Sequence, residues 1–226
     1  MLPNQTMIDE QGYQVCLFPM TYMNVSQGFG PDTYSHCCGC PFDYGTSPNI
    51  VPVYAPCDMH LTYDPHTGAN TLFYTSDNPV NTPSGISYVS IQVTHCRSEN
   101  LTIKQNITQG ELFYYSGDAS GSIAAIGIHL HMDQSLYADA VWMNYHIKCT
   151  GTKKECWGME HPAPAYDVFY VNDTDLVYSG GYPWKVFEGG QPEPPSPPSP
   201  PVPPVPPVSG GNFKWWMAHR ILKERR

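Results

Sequence analysis

An all-β protein is predicted by three features of this sequence. The chain is rich in tyrosine and glycine, with 16 and 19 copies, and tyrosine and threonine favour pleated structure while glycine favours turns. Only 14% of its residues are charged, too few for the solvated faces of long helices. Apolar or alternating segments, at residues 14–18, 71–75, 87–93, 111–115, 122–132, 141–147 and 167–171, are separated by Gly, Pro, Asn and Asp clusters, the punctuation of short strands. With 226 residues and 41% hydrophobic content, the chain is large enough for one well-buried core.

Three zones follow from composition. Residues 1–188 read as the folded domain. Residues 189–211 form a linker, with eleven prolines between Pro192 and Pro207. Such a stretch adopts polyproline II and spans roughly 50 Å at ~3.1 Å per residue when extended. Residues 212–226 form a basic amphipathic tail, in which Phe213, Trp216, Met217 and Ile221 fall on one side of a short helix. Two readings stand for this tail, a cationic contact for an anionic wall or membrane and an unstructured basic end. From Phe213 onward it holds five of the eleven Lys and Arg and one of the twenty Asp and Glu, leaving a net charge of −13 on the rest. An acidic body argues against nucleic acid as the main partner.

The start of the chain lacks the basic and apolar regions of a signal peptide, so no export signal is expected. The eight cysteines suit disulfides in a protein that works outside a cell. A virus-encoded protein, made inside a cell and acting outside it, reconciles the two. The five Asn-x-Ser/Thr sequons are ascribed to chance in a chain rich in Asn and Thr.

The chemistry concentrates in His36, Asp43, His95, His129 and His131. His129 and His131 flank Leu130 in an extended segment, so both imidazoles face the same way. The alternation from Ser87 to Val93 places His95 at a strand end. His36 and Asp43 bracket the turn Cys37-Cys38-Gly39-Cys40-Pro41-Phe42, which can fold back and bring them to one ion. About three protein ligands and an open position are what a catalytic zinc requires, and a further histidine beside the ion can act as a base or as a donor to an oxyanion. Each piece alone is weak, since His-x-His is common by chance.

In order, the pieces resemble the lysostaphin/LytM-type zinc endopeptidases. Gln27-Gly28-Phe29-Gly30, Ser35-His36 with Phe42-Asp43-Tyr44-Gly45, and Pro52-Val53-Tyr54-Ala55-Pro56 resemble the opening of that family. Residues 89–95, Ile107-Thr108-Gln109-Gly110-Glu111, Gly117-Asp118-Ala119-Ser120-Gly121 and His129-Leu130-His131 resemble its later motifs. The resemblance covers roughly residues 20–135. It implies a compact antiparallel, barrel-like β-sheet with a zinc-floored groove, and hydrolysis of peptide bonds in bacterial peptidoglycan. It implies further that His36, Asp43 and His131 bind Zn2+ and that His95 and His129 flank the attacking water. A phage lysin or virion-associated enzyme is the expected setting. A non-catalytic peptidoglycan-binding or virion structural module of the same fold is the alternative.

The spacer of six residues between His36 and Asp43 is longer than in many members and resembles a phage-lysin-like subset. Cys37, Cys38 and Cys40 have three readings: disulfides, with Cys16, Cys57 or Cys96 as partners; a second zinc held with His36; or a thiolate in place of Asp43. Disulfides are favoured. His60, His66 and His161 read as loop residues and His146 as a strand residue. Met132 reads as core, against a two-His-one-Met copper site. Tyr44, Tyr54, Tyr74 and Tyr88 are candidates for lining the groove.

Overall fold

The structure is a computed structural model. It describes residues 1–189 apart from 31–32, 34–35, 37–38, 121–124, 126, 146–155 and 172–175, with 142–145, 156–157 and 176–177 described by their backbone. The expected linker and tail, Gly189 apart, and the candidate strand residue His146 lie outside the described residues.

The protein is nearly all β. Its strands are β1 (Met23–Gln27), β2 (Phe42–Gly45), β3 (Pro52–Tyr54), β4 (Met59–Tyr63), β5 (Leu72–Ser76), β6 (Val80–Thr82), β7 (Gly85–Ser87), β8 (Ser90–Thr94), β9 (Asn106–Ile107), β10 (Leu112–Tyr115), β11 (His129–Ser135), β12 (Trp142–Tyr145), β13 (Cys156–Met159) and β14 (Leu176–Tyr178). Eight of them form one sheet in the order β14-β1-β2-β11-β8-β5-β4-β9. Every pairing in this sheet is antiparallel except β1 with β14. The remaining pairs are β10 with β3, β12 with β13 and β6 with β7.

The seven-residue β11 is at the centre of this arrangement. Leu130 and Met132 point into a core with Phe42 and Tyr44 from β2, Ile91 and Val93 from β8, and Leu72 and Tyr74 from β5. The alternation of side chains along a strand therefore sends His129, His131 and Asp133 to the opposite face. Met132 is fully buried, as expected for a core residue. Tyr44, Tyr54 and Tyr74 are buried too, which corrects their reading as groove residues; of the four candidates, Tyr88 alone is exposed.

Other expectations also change. Residues 167–171 do not form a strand: a four-residue helical turn, α1 (Ala165–Val168), occupies their start, and Tyr170 and Val171 make isolated bridges to Leu17 and Val186. Pro164, with φ near −59°, sets up this turn. His60 lies in β4, not in a loop, although it is solvent-facing as expected and holds Asp77 at 2.7 Å. Cys16, Cys40, Cys57 and Cys96 are all free thiols. The expected bridges from the loop cysteines to Cys16, Cys57 or Cys96 are thus not present among the described residues, and Cys16 and Cys57 face each other inside the core. Among the described residues, no helix is long and apolar enough to cross a membrane.

Candidate metal centre

Strand register assembles the site. His131 on β11 pairs directly with Asp43 on β2 and, on its other side, with Thr94 at the end of β8. Cross-strand partners share a face, so the His131 and Asp43 side chains meet, with His131 Nδ1 at 2.9 Å from Asp43 Oδ1. A register shift in β1 lies opposite this point, where Val25 and Gln27 face Tyr44 and Asp43. The extra residue, Ser26, donates its hydroxyl to the Asp43 carbonyl at 3.1 Å; such bulges commonly re-aim a neighbouring side chain.

His36 reaches the same carboxylate from the preceding loop. The chain turns at Gly30, whose N–H donates to the His36 carbonyl at 3.0 Å, and the buried His36 ring places Nε2 at 3.3 Å from Asp43 Oδ1. Its Nδ1 faces the Gly28 carbonyl at 3.2 Å. Tyr182 packs against Gly28 so closely that a Cβ there would sit 1.8 Å from the phenolic oxygen.

His95 directly follows β8 and adopts φ = 85°, a conformation uncommon for a residue with a side chain. It is held there from two sides. Its N–H donates to Ala69 and its carbonyl accepts from Ala119, while its ring Nδ1 lies 2.7 Å from the Ala119 carbonyl. Gly117 makes this possible, because a Cβ there would come within 2.2 Å of the His95 carbonyl oxygen. The same glycine pairs with His129, whose Nδ1 faces the Gly127 carbonyl at 3.0 Å and whose Nε2 is 3.6 Å from Asp43 Oδ1. The ring centroids of His95 and His129 are 4.6 Å apart, and those of His36 and His131 5.0 Å.

Hydrogen-bond direction follows from these contacts. A carbonyl oxygen only accepts, so the Nδ1 of His36, His95 and His129 each carries its ring's proton when the imidazole is neutral. The Nε2 atoms of His36 and His129 are then bare acceptors aimed at a carboxylate oxygen, another acceptor. Acceptors facing one another at this range repel unless a proton or a cation lies among them. One donor atom each from His36, Asp43 and His131 falls within 4.8 Å of the other two. Two ligands on a tetrahedral ion at ~2.0–2.1 Å lie roughly 3.3 Å apart, which matches the His36–Asp43 spacing. The residues therefore fit a zinc-sized cation, and the backbone carbonyls behind His36 and His129 orient the rings as outer partners of a metal site do.

Electrostatics agree with this division. Burial pushes the Asp43 carboxyl up, but when a proton rather than a cation lies between the groups, hydrogen bonds from His131 and His36, and their charge, outweigh it and hold the carboxyl well below the ordinary carboxylate range. His95 is lowered to about 4, first by burial and then by the charge of His131, with the hydrogen bond to Ala119 opposing. Cys40 is pushed up to about 12 by burial, with Asp133 and Asp167 adding to it, and it is not among the converging donors. Cys37 and Cys38 lie outside the described residues.

All five residues singled out in the sequence thus meet in one place. The sequence reading missed what supports them: the carbonyls of Gly28, Ala119 and Gly127, and Tyr182. It also missed the Arg97–Asp118 ion pair, 2.6 and 2.8 Å across its two contacts, which straps the residues after His95 to the Gly117–Ala119 turn. The glycines at 28 and 117 were a signal for part of this, since each marks a close approach.

No protein-family model matches the chain. It is 28% identical over 183 residues to Morphogenesis protein 1 of Bacillus phage B103, an alignment that takes in 77% of this chain and 45% of that protein. The chain therefore spans somewhat under half the length of that relative. Among solved structures, a zinc containing peptidase from Vibrio cholerae is similar over 57% of this chain and 42% of its own, with 15% identity and a TM-score of 0.34. LytU is similar over 50% of this chain and 73% of its own, with 20% identity and a TM-score of 0.36.

Proposed function

We propose that this protein is a zinc-dependent endopeptidase that hydrolyses peptide bonds of bacterial peptidoglycan, encoded by a phage and acting as a lysin or as part of the virion. The observation that carries the reading is the convergence of His36, Asp43 and His131 on one point, with His95 and His129 beside it. Support for the substrate class comes from the ordered motifs between residues 20 and 135. Support for the setting comes from the similarity to a phage morphogenesis protein.

In this reading His36, Asp43 and His131 would hold Zn2+. A bound zinc ion supplies Lewis acidity, which polarises a carbonyl and makes water acidic near neutral pH. The remaining work falls to the other two histidines. With Nδ1 of His95 and of His129 committed to backbone carbonyls, their Nε2 atoms are the proton acceptors. His95, lowered to about 4, is neutral at pH 7 and keeps that lone pair free. Once one of the two rings takes the proton from the attacking water, it becomes a donor to the developing oxyanion and then to the leaving amine.

The test is mass spectrometry of fragments released from purified Gram-positive peptidoglycan, with and without a zinc chelator. New amino termini that disappear with chelator support the reading and identify the bond. An absence of fragments from zinc-loaded protein across several wall chemotypes would favour a binding or virion structural module.

A further inference from the structure

We propose that Cys16 and Cys57 are the two halves of a disulfide that closes when the protein meets an oxidising environment. The observation is one of register. Leu17 N–H donates to the Pro56 carbonyl at 3.2 Å, and Tyr54 N–H donates to the Pro19 carbonyl at 2.7 Å. These bonds set an antiparallel pairing of Leu17 with Pro56 and of Pro19 with Tyr54; each pair makes one bond and not two because proline has no N–H. One step further along, Cys16 stands opposite Cys57.

That position is of the non-hydrogen-bonded kind. Cys16 turns its own backbone groups the other way, its N–H donating to Asn81 at 2.8 Å and its carbonyl accepting from Tyr170 at 2.9 Å. Opposed residues at such positions have Cα atoms ~4.5 Å apart, inside the ~4.4–6.8 Å range that a disulfide spans. The Cys16 thiol, with burial, pushes the Cys57 thiol up, and both residues are fully buried. The register thus brings the two cysteines within the reach of a disulfide.

The step balances with a small-molecule disulfide such as oxidised glutathione. One cysteine thiolate attacks it and expels one glutathione thiolate, leaving a mixed disulfide. The other cysteine then displaces the second glutathione, and the two protons given up by the cysteines end on the two glutathione thiols. Because both sulfurs are buried in the folded chain, exchange belongs to folding or to transient opening of the N-terminal segment.

The consequence reaches the metal centre. The bond would close a loop through residues 17–56 that carries both His36 and Asp43. A loop of this length gains most of the stabilisation a single cross-link gives, which for a chain of this size is a rise in Tm on the order of 10 °C. The inference does not depend on the proposed activity, since a folded protein without peptidase function would carry the same pair.

The experiment is non-reducing peptide mapping, after alkylation of free thiols, of the full chain produced in an oxidising bacterial periplasm. Expected are a Cys16 peptide linked to a Cys57 peptide, a mass lower by two hydrogens for that bond, and a Tm that falls on reduction. In the Cys16→Ala/Cys57→Ala variant, reduction should leave the Tm where it was. Recovery of both cysteines as alkylated free thiols, or of either linked to a different cysteine, would overturn the pairing. A linked pair with no change in Tm on reduction would overturn the stapling role.

Discussion

Asp43 and Asp133 lie on the same side of the sheet as His131, and their contrast separates a site from a scaffold. Asp43 sits across from His131 on β2, and its Oδ1 is approached by nitrogens of His131, His36 and His129 at 2.9, 3.3 and 3.6 Å. Asp133 lies two residues along β11, fully buried, and its oxygens accept from backbone N–H groups, of Gln134 at 3.0 Å and of Met159 at 2.8 Å. Burial pushes the Asp133 carboxyl up, whereas the histidines draw Asp43 down. Two identical side chains at one strand crossing thus have opposite duties. Fixed backbone donors make Asp133 a brace between β11 and β13, while titratable, metal-competent partners suit Asp43 to the ligand role proposed for it.

The largest effect that would break this contrast concerns its shared neighbour. His131→Ala should abolish stoichiometric zinc binding and with it all activity. His129→Ala should keep zinc and lose activity by roughly 10²–10⁴-fold, the usual reach of proton-transfer catalysis. Metal analysis of the two purified variants checks the division, and full zinc occupancy in His131→Ala would sink the ligand assignment.

The two aspartates themselves come next. Asp43→Asn should weaken zinc on the order of 100-fold or more, because even outer partners of a metal site are worth ~10–100-fold, and it should leave folding largely intact. Asp133→Asn should do the reverse. The amide places an NH2 against one of two backbone donors, costing about 1–3 kcal/mol, with zinc affinity little changed. Urea unfolding and zinc titration of both variants would show whether the effects cross over; equal effects would erase the distinction.

A pH dependence follows from His95. Its folded value, about 4, lies below its ordinary 6.5, so between these limits the unfolded chain binds a proton that the folded chain refuses. Stability of the metal-free protein should therefore fall as pH drops through this window, by on the order of 2–3 kcal/mol. Asp43 adds a loss only at lower pH, because its contribution is present above its unfolded value and disappears as it protonates. Urea midpoints from pH 4 to 7 in chelator should show a flatter profile for His95→Asn, whose side chain tolerates positive φ. The smallest effect is expected at Tyr182: Tyr182→Ala should weaken zinc by about 10-fold through the Gly28 carbonyl behind His36, while Tyr182→Phe, which keeps the packing, should not.

Much of the site was legible because it rests on short-range rules. A two-residue spacing puts His129 and His131 on one face, and the alternating run from Ser87 to Val93, followed by Thr94, delivers His95. Asp43 was legible as a neighbour of His36 across a turn, but its register opposite His131 was not, since strand pairing is a property of distant segments. The braces were hidden for a related reason: backbone carbonyls carry no signature in side-chain sequence. Fold prediction failed where elements are brief or covered on both sides. His60 reads as a loop residue from its polar neighbours, although it lies in β4, because the alternation of Met59–Tyr63 runs for only five positions. The five residues of β8 alternate in polarity, yet all are buried, Ser90 and Thr94 among them satisfied by Thr75 and Thr71 at 2.8 and 3.2 Å. Polarity along a strand forecasts which face meets water only when nothing folds over the other face.

The most direct test of the metal centre is zinc K-edge X-ray absorption on protein loaded with one equivalent of Zn2+. The account predicts nitrogen and oxygen donors alone at ~2.0–2.1 Å with the outer-shell pattern of two imidazoles. A sulfur shell at ~2.3 Å would transfer the site to the cysteines of the 37–40 turn and contradict the His36–Asp43–His131 assignment.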